Sequence, residues 1–525
     1  MSAPPQPDIP AHSEALLLQI NAQLRQQLEY AELKIQVLEE RLRVERIAKY
    51  GKRSETLSDL QLELLDLEPG VSGEEVAAES EREPIASSSE DKRQEPADKT
   101  KDKSRPNHPG RQTLPSHLAR VERIVVFPAE ECTCGECGEQ TKVIGYEETE
   151  VLDVRPAEYF VEVIKREKRA CKGCAQQGVR TAAAPERIAP RSLLSDHFIT
   201  ALIVAKYCES LPLYRQQAML RRDGGVEIAL STLDDAVMRV GQLLIPIAGA
   251  IKRDLLAGTY IQADETPVGV QTHDQRGRNH QAYLWQYGSP GKGVVFDFRM
   301  GRDGDGPKQF LGAFEGLLQT DGYQGYNKVG GPKMTHACCL AHARRKFVDA
   351  VKVNAKDTES ARIVALMDEL FTIDRDAREQ NMDHAQRDAQ RQDRAPRVLD
   401  QLRAALLALQ KKALPKSTAG QAANYTLSLW SKLTLFLKHP ELELSTNLAE
   451  NSMRPIAIGR KNWLHVGSKE AGPKIAAIFS VVESCRRLGV PIRKYLGHVL
   501  PGLANRSIQS LNELTPSAYA ANQAD

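Results

Sequence analysis

Apolar positions near the N-terminus recur in alternating steps of four and three residues. The positions that share this spacing are Leu17, Asn21, Leu24, Leu28, Ala31, Ile35, Leu38 and Leu42. Gln, Arg, Glu and Lys fill most of the intervening positions, so the pattern predicts one amphipathic helix within residues 13–66 that forms a coiled coil. Asn21 in the apolar seam would weaken the coil but fix its register. The sequence favours a homo-oligomer joined through this leucine zipper, and an amphipathic helix packed on its own domain is the alternative.

Residues 67–109 contain almost no large apolar side chains and are rich in Glu, Ser, Lys and Pro. Such a composition cannot offset the entropy lost on ordering, so it predicts a disordered linker. The rest of the chain predicts a multidomain α/β protein. Its predicted parts are a zinc-binding module (110–190), a helical segment (191–256), a sheet core (257–485) with an all-helical insertion at about 348–440, and a C-terminal segment (486–525).

From residue 259 onward the apolar pattern becomes that of strands. Residues 260–268, 282–287 and 293–298 predict three strands, 310–314 a helix, 316–321 a fourth strand, and 334–339 a further strand leading into helix. This order is that of a ribonuclease H-like mixed sheet. In that fold an acid on the first strand, here Asp264, lies beside an acid that closes the fourth, here Asp321.

Two neighbouring carboxylates suit a hard divalent cation, and Glu450 within residues 445–455 is the best third candidate. Two Mg²⁺ or Mn²⁺ ions about 3.5–4 Å apart would activate the attacking oxygen and stabilise the leaving oxygen at a phosphodiester. Each acid also has a structural interpretation. Asp264 and Asp321 would each belong to a turn, and Glu450 would form a capping box with Asn447 or an ion pair with Arg454.

The cysteines form two CxxC pairs, Cys134 with Cys137 and Cys171 with Cys174. No apolar run approaches the roughly 18 residues of a membrane span, and the N-terminus lacks a signal-peptide pattern. We therefore expect a cytoplasmic, nucleoid-associated protein with reduced thiols, in which the four cysteines hold one structural Zn²⁺. Cys132 with Cys137 is a looser first pair, and buried free thiols or a redox pair are the other interpretations.

Residues 213–220 and 231–238 read as two short helices around a glycine break at 223–225, with Ser231 capping the second. This layout matches a helix-turn-helix that binds double-stranded DNA, and an ordinary helical hairpin is the alternative. The net charge of +2 is not informative, but basic residues cluster locally. The candidates for phosphate contact are Arg215, Arg221, Arg222, Lys165, Arg166, Arg454, Arg460 and Lys461.

Several blocks in one order carry a family resemblance. They are KRSE (52–55), the two CxxC pairs, LPLYRQ (211–216), DETP (264–267), TDGYQGY (320–326), AHARRKF (341–347), NLAEN (447–451), RP (454–455) and GRKN (459–462). Over nearly its whole length the chain resembles transposases of the insertion-sequence-66 family. The resemblance implies a DNA transposase with Asp264, Asp321 and Glu450 as its DDE triad, and small accessory proteins encoded alongside.

Two further positions bear on that resemblance. Cys339 and His342 resemble the CxxH element of several DDE transposase groups, and core packing with one polar side chain is the alternative. Asn451 stands where many relatives place Arg.

The function expected from these features is binding of the terminal inverted repeats of a mobile element, hydrolysis at its ends, and joining of the 3′-hydroxyls to target DNA. The rival hypotheses are a nuclease that only hydrolyses and a DNA-binding regulator with an inactive core.

Overall fold

The computed structural model describes residues 158–524, apart from 171–178, 273–277, 355 and 464, together with scattered positions between 20 and 42. The predicted linker and the four cysteines of the predicted zinc site lie outside the described residues. The described positions between 20 and 42 are all helical, in agreement with the predicted helix. Their large apolar side chains are 43–63% exposed, among them Leu24, Leu28 and Leu38.

Three helices precede the central sheet. They are α1 (Asp196–Tyr207), α2 (Leu213–Gly224) and α3 (Leu230–Leu256). The Ser195 hydroxyl caps α1 by accepting from the Phe198 amide, and α2 ends at Gly225, whose φ of 61° suits glycine.

Two helices therefore flank a glycine turn, as predicted, but the expected cap of the second is wrong. The residue preceding α3 is Ala229, and Ser231 lies inside the helix. Helix α3 also extends well beyond residue 238. The reason is a continuous apolar stripe, Leu233, Val240, Leu244 and Ile247, which is buried in the main core.

The strands form a hairpin and a mixed sheet. The hairpin pairs β1 (Lys168–Ala170) with β2 (Val179–Thr181), and the sheet contains β3 (Tyr260–Val270), β4 (His280–Gly288), β5 (Val294–Arg299), β6 (Leu317–Thr320) and β7 (Thr335–Cys338). The sheet order is β5-β4-β3-β6-β7. Strands β3, β4 and β5 pair antiparallel, whereas β6 and β7 continue from β3 in parallel.

The predicted helix before β6 is misplaced. Helix α4 covers Asp305–Leu311 and not residues 310–314, because Gly312 adopts a positive φ of 53° and ends it. The Phe310 ring of α4 stacks on Tyr287 of β4 with centroids 3.6 Å apart. This contact packs α4 against β4.

The chain after β7 is helical. The helices are α5 (Leu340–Val353), α6 (Thr358–Glu379), α7 (His384–Lys412), α8 (Thr418–Ser428), α9 (Trp430–Leu433), α10 (Asn447–Trp463), α11 (Ala471–Arg487), α12 (Ile492–Val499) and α13 (Pro516–Ala524). Helices α5 to α9 share an apolar core that includes Phe347, Met367 and Leu402. The larger core joins the sheet to α1, α3, α11 and α12. Among the helices that the structure describes, none combines the length and apolar character that crossing a bilayer requires.

Candidate active site

Two of the three predicted acids lie on neighbouring strands. Asp264 is in the middle of β3, and Asp321 directly follows β6. Gln262 and Gln319 are Cα partners in the parallel pairing of these strands, and each lies two residues before one of the acids. Because strand side chains alternate between faces, this register predicts Asp264 and Asp321 on the same sheet face at the same level. Asp321 lies one residue beyond the end of β6, and burial, followed by the charge of Asp321, raises the pKa of Glu265.

Glu450 approaches this face from outside the sheet, in the first turn of α10. Its negative charge acts on Asp264. Burial, followed by the charges of Glu265 and Glu450, raises the pKa of Asp264 to about 7. A hydrogen bond from the Glu265 amide to Asp264 Oδ1, 2.8 Å long, and the charge of His342 act in the opposite direction.

Two basic side chains of α5 contact Glu450. Arg345 Nη2 lies 3.2 Å from Oε2, and His342 Nε2 lies 3.3 Å from Oε1. The spacing of three residues puts both on one face of α5. Glu450 Oε1 is nevertheless buried and, within the described parts of the chain, accepts no hydrogen bond. This oxygen is therefore within ion-pair distance of His342 without a hydrogen bond of good geometry.

The CxxH element lies against the same helix. Cys339 is fully buried immediately before α5, and its Sγ accepts from the Thr446 amide at 3.3 Å, next to the start of α10. Burial would raise the pKa of the Cys339 thiol, but the charge of His342 and its hydrogen bond outweigh burial, so the pKa is lowered. Burial would lower the pKa of His342, but Cys339 and Glu450 together raise it to about 9. The element thus links the start of α5 to the third acid.

Several hydrogen bonds stabilise the turn that carries Asp321. The Tyr323 amide donates to Asp321 Oδ1 at 2.8 Å, and the Tyr425 hydroxyl of α8 donates to the Asp321 carbonyl. Thr320 Oγ1 lies 2.9 Å from His336 Nε2 and accepts from the Gly322 amide. A cleft of about 250 Å³ opens beside this turn. Its lining is Asp321, Gly322, Tyr323, His342, Arg345, Lys346, Asp349 and Tyr425.

The donor set suits a hard divalent cation in part. Three carboxylates, one with a raised pKa and one with an oxygen that accepts no hydrogen bond, match the ligands that Mg²⁺ and Mn²⁺ prefer. Within the described residues, however, no three His, Cys, Asp or Glu side chains stand close enough together to hold one metal ion. In this conformation Glu450 is neutralised by Arg345 and His342 instead.

Two residues of the site were not identified from the sequence. Glu265 is 3% exposed in its side chain and binds Arg302 at 2.6 Å and the Tyr326 hydroxyl at 3.0 Å. It lies next to Asp264 within the block DETP, and strand alternation puts the two on opposite faces. Arg345 lies in the basic cluster RRK (344–346), and its spacing of three from His342 puts both on one side of a helix.

The predicted phosphate-contacting residues fall in separate regions. Lys165 and Arg166 are exposed before β1. Arg215, Arg221 and Arg222 are exposed on α2, where Arg221 pairs with Glu227 at 3.2 Å and Arg222 with Asp223 at 2.6 Å. Arg454 and Lys461 are exposed on α10, and the Arg460 guanidinium donates to the Pro267 carbonyl.

Three family models match the chain. A model described as "Transposase IS66 family" matches residues 191–474, which include all three acids. A model described as "zinc-finger binding domain of transposase IS66" matches residues 131–175 and spans all four cysteines of the CxxC pairs. A model described as "Transposase C of IS166 homeodomain" matches residues 37–123, which overlap the predicted zipper. The predictions of transposase, zinc-finger and zipper domains are confirmed at this level.

Similar proteins of Sinorhizobium fredii align with most of the chain. The uncharacterized protein y4hP is 28% identical over 516 residues, which cover 92% of this chain and 88% of that protein. The uncharacterized protein y4jD is 31% identical over 427 residues, which cover 78% of this chain and 82% of that protein. The similarity therefore extends beyond the sheet.

Proposed function

The chain belongs to the IS66 family of transposases, and from this premise we propose that it cuts the ends of a mobile DNA element and joins them to target DNA. Family membership supports a transposase role and implies action on DNA. Our proposal is that the reaction takes place at Asp264, Asp321 and Glu450 and depends on divalent metal ions.

One observation carries the proposal. The register of the parallel strands β3 and β6 supports two acids at the same level and face, and the charge of a third acid acts on the first from a helix of the same unit. The sheet order and strand directions support the classification of this unit as a ribonuclease H-like core. In such a core the three carboxylates serve a single reaction centre.

Two Mg²⁺ or Mn²⁺ ions bound there would supply activation of the attacking oxygen and stabilisation of the leaving oxygen in an in-line displacement. Asp264 has to lose its proton before it can act as a ligand, because burial favours its neutral form. The Tyr323 amide keeps one oxygen of Asp321 oriented. Glu450 has to exchange its contacts with Arg345 and His342 for the metal site.

The cleft beside Asp321 suits the scissile phosphate. Arg345 and Lys346 line it and offer positive charge to the phosphodiester, while Asp321 forms its acidic side. Water as the attacking group would release a 3′-hydroxyl. That hydroxyl would then attack target DNA in the same cleft, with no covalent bond between protein and DNA.

The remaining predictions complete the proposal. The exposed basic residues of α2 and α10 would contact the DNA backbone, and the zinc-finger domain would hold one structural Zn²⁺. The exposed apolar side chains between residues 20 and 42 support a homo-oligomer joined through the zipper. Accessory proteins encoded alongside would assist, as the family resemblance implies.

The test compares Asp264→Asn with Asp297→Asn. Asp297 lies on β5 of the same sheet, where it pairs with Arg299 at 2.7 Å, and strand pairing puts it on the opposite face. We expect Asp264→Asn to abolish Mg²⁺-dependent cleavage of element-end DNA while binding persists, and Asp297→Asn to cleave. Unchanged cleavage by Asp264→Asn would disprove the assignment.

Two further outcomes separate the rival functions. A wild-type protein that hydrolyses ends but does not join a pre-cut end to a plasmid is a nuclease only. A wild-type protein that binds the ends without cutting them in Mg²⁺ or Mn²⁺ is a regulator.

A further inference from the structure

Two buried glutamines lie on the same two strands as the acids of the sheet, each two residues before an acid. Gln262 on β3 and Gln319 on β6 are both 0% exposed and are Cα partners in the sheet. Each precedes an acid by two residues, so both strands carry the pattern Gln-x-Asp. The two glutamines therefore share the sheet face of Asp264 and Asp321.

Hydrogen bonds join this pair to the chain segment 443–446. Gln262 Nε2 donates to Gln319 Oε1 at 3.1 Å and to the Ser445 carbonyl at 3.0 Å. Gln319 Nε2 donates to the Glu443 carbonyl at 2.6 Å, and the Tyr260 hydroxyl donates to Gln319 Oε1 at 2.5 Å. Each amide nitrogen thus donates to one main-chain carbonyl of the segment, and Gln262 Nε2 also donates to the Tyr260 hydroxyl at 2.9 Å.

That segment leads directly into the helix of the third acid. Helix α10 begins at Asn447, and Glu450 lies in its first turn. The segment is neither strand nor helix, so its path depends on the groups that bind its carbonyls and amides. Gln262 Oε1 is buried and has no hydrogen-bond partner among the described residues, so the constraint on the segment comes from the two donor bonds to the Ser445 and Glu443 carbonyls.

We propose that Gln262 and Gln319 are positioning residues that fix the start of α10 against the sheet, so that Glu450 faces Asp264 and Asp321. This inference rests on the proposed function of the three acids. The glutamines do not touch the reacting atoms and act only through the segment 443–446.

Other contacts hold the same segment from its outer side. The Leu340 amide donates to the Leu444 carbonyl at 2.8 Å, and Arg387 pairs with the Glu443 carboxylate at 2.8 Å. These contacts belong to α5 and α7, whereas the glutamines connect the segment to the two strands that carry acids. Loss of a glutamine should therefore displace α10 relative to the sheet without unfolding the chain.

The test uses Gln262→Met in the full-length protein, with Gln286→Met as the matched control. Gln286 is also 0% exposed, and it is the Cα partner of Asp264 in the antiparallel pairing of β3 with β4. Its amide has no hydrogen-bond partner among the described residues. Each substitution replaces one buried glutamine amide of the same sheet by the side chain of methionine. Only the first removes a connection to the segment 443–446.

Cleavage kinetics on element-end DNA and Mn²⁺ binding followed by electron paramagnetic resonance are the readouts. We expect Gln262→Met to lower kcat and weaken Mn²⁺ binding by roughly 10- to 100-fold, as is usual when a group supporting a metal ligand is removed. KM for DNA should stay at the wild-type value. Gln286→Met should keep wild-type kcat and Mn²⁺ affinity.

A second variant covers the case in which Gln262→Met does not fold. Gln319→Glu keeps the acceptor for Tyr260 and Gln262 but removes the donor to the Glu443 carbonyl, and we expect the same loss of kcat and Mn²⁺ affinity. The inference is overturned if every folded variant of Gln262 and Gln319 keeps wild-type kcat. It is also overturned if Gln286→Met loses as much kcat and Mn²⁺ affinity as Gln262→Met.

Failure of the proposed function gives a different result. If the proposed function is wrong, the wild type binds no Mn²⁺ and Asp264→Asn cleaves element-end DNA as the wild type does. If Asp264→Asn is inactive while Gln262→Met is fully active, only the positioning role is wrong.

Discussion

Substitution of Asp374 by asparagine tests the buried charge cluster at the centre of the helical insertion. Asp374 on α6 is 1% exposed and lies between Arg387 and Arg391 of α7, which are 2% and 0% exposed. It accepts from Arg387 Nη2 at 2.7 Å and from Arg391 Nε and Nη2 at 2.8 and 2.7 Å. Glu443 is the second carboxylate of the cluster.

The expected cost follows from the charge left behind. Without Asp374, Arg387 keeps the Glu443 carboxylate, whereas Arg391 keeps its contacts with main-chain carbonyls such as those of Phe436 and Leu442. Removal of one partner of a buried ion pair costs about 3–5 kcal/mol. Asparagine keeps one acceptor oxygen, so we expect a loss of about 3 kcal/mol in the free energy of unfolding of the insertion.

The same cluster predicts the effect of acid. Burial would raise the pKa of Asp374, but Arg387 and Arg391 outweigh it and hold that pKa well below its usual range. A carboxyl with a depressed folded-state pKa stabilises the fold above its unfolded value of about 3.9 and loses that contribution as the pH falls further. The difference in stability between wild type and Asp374→Asn should therefore be full at pH 7 and shrink below about pH 4.

Urea titration with hydrogen exchange of α6 and α7 peptides, read by mass spectrometry, measures this loss in the insertion. Trp430 of α9 provides an independent fluorescence signal from the same unit. A loss below about 1 kcal/mol at pH 7 would refute the reasoning, because the cluster would then behave like a solvent-exposed ion pair.

Three further predictions concern the acids, the DNA contacts and the zinc finger. The pKa of Asp264 is raised to about 7, so between pH 3.8 and pH 7 the folded state retains a proton that the unfolded state has released. The free energy of unfolding should therefore fall as the pH rises between these values. Asp264→Asn should thus raise Tm in EDTA at pH 8 but not at pH 3.5, and an equal change at both contradicts the burial argument. Lys461→Ala should reduce the slope of log Kd against log salt for end DNA by about 1 relative to the wild type, and an unchanged slope excludes a phosphate contact. The purified wild type should carry about one equivalent of zinc and Cys171→Ser much less, whereas under half an equivalent in the wild type counts against the four-thiolate site.

The presence of β3, β4 and β5 could be predicted from the sequence because each contains a run rich in apolar residues that are buried in the fold. The prediction that Asp264 and Asp321 lie side by side was drawn from the order of the strands. The cap and length of α3 could not be predicted, since whether Ser231 caps or continues a helix depends on tertiary burial of Leu233 and Val240. The boundary of α4 was misjudged because a glycine such as Gly312 is compatible with either a helix interior or its end.

The contacts around Glu450 could not be predicted from local sequence patterns. Arg345 and His342 meet this acid across 105 and 108 residues of chain, and no periodicity reports such a contact. Gln262 and Gln319 look like ordinary polar residues within strands. Their common position before an acid gains meaning only when the pairing of β3 with β6 is known.

The position of the insertion explains why Glu450 lies so far along the chain from Asp321. The insertion leaves the core at Leu340 and returns at Leu444, and the hydrogen bond of 2.8 Å between their main chains shows that it leaves and returns at one point. Closing a long loop costs little more than closing a short one, and the helices α5 to α9 share an apolar core with sheet residues such as Tyr260 and Leu317. The Tyr425 hydroxyl also donates to the Asp321 carbonyl, and the Glu443 carbonyl accepts from Gln319 of β6. For this reason the sequence separation of the second and third acids carries no information about their separation in space, and Glu450 had to be identified from its surrounding block NLAEN rather than from any regular spacing.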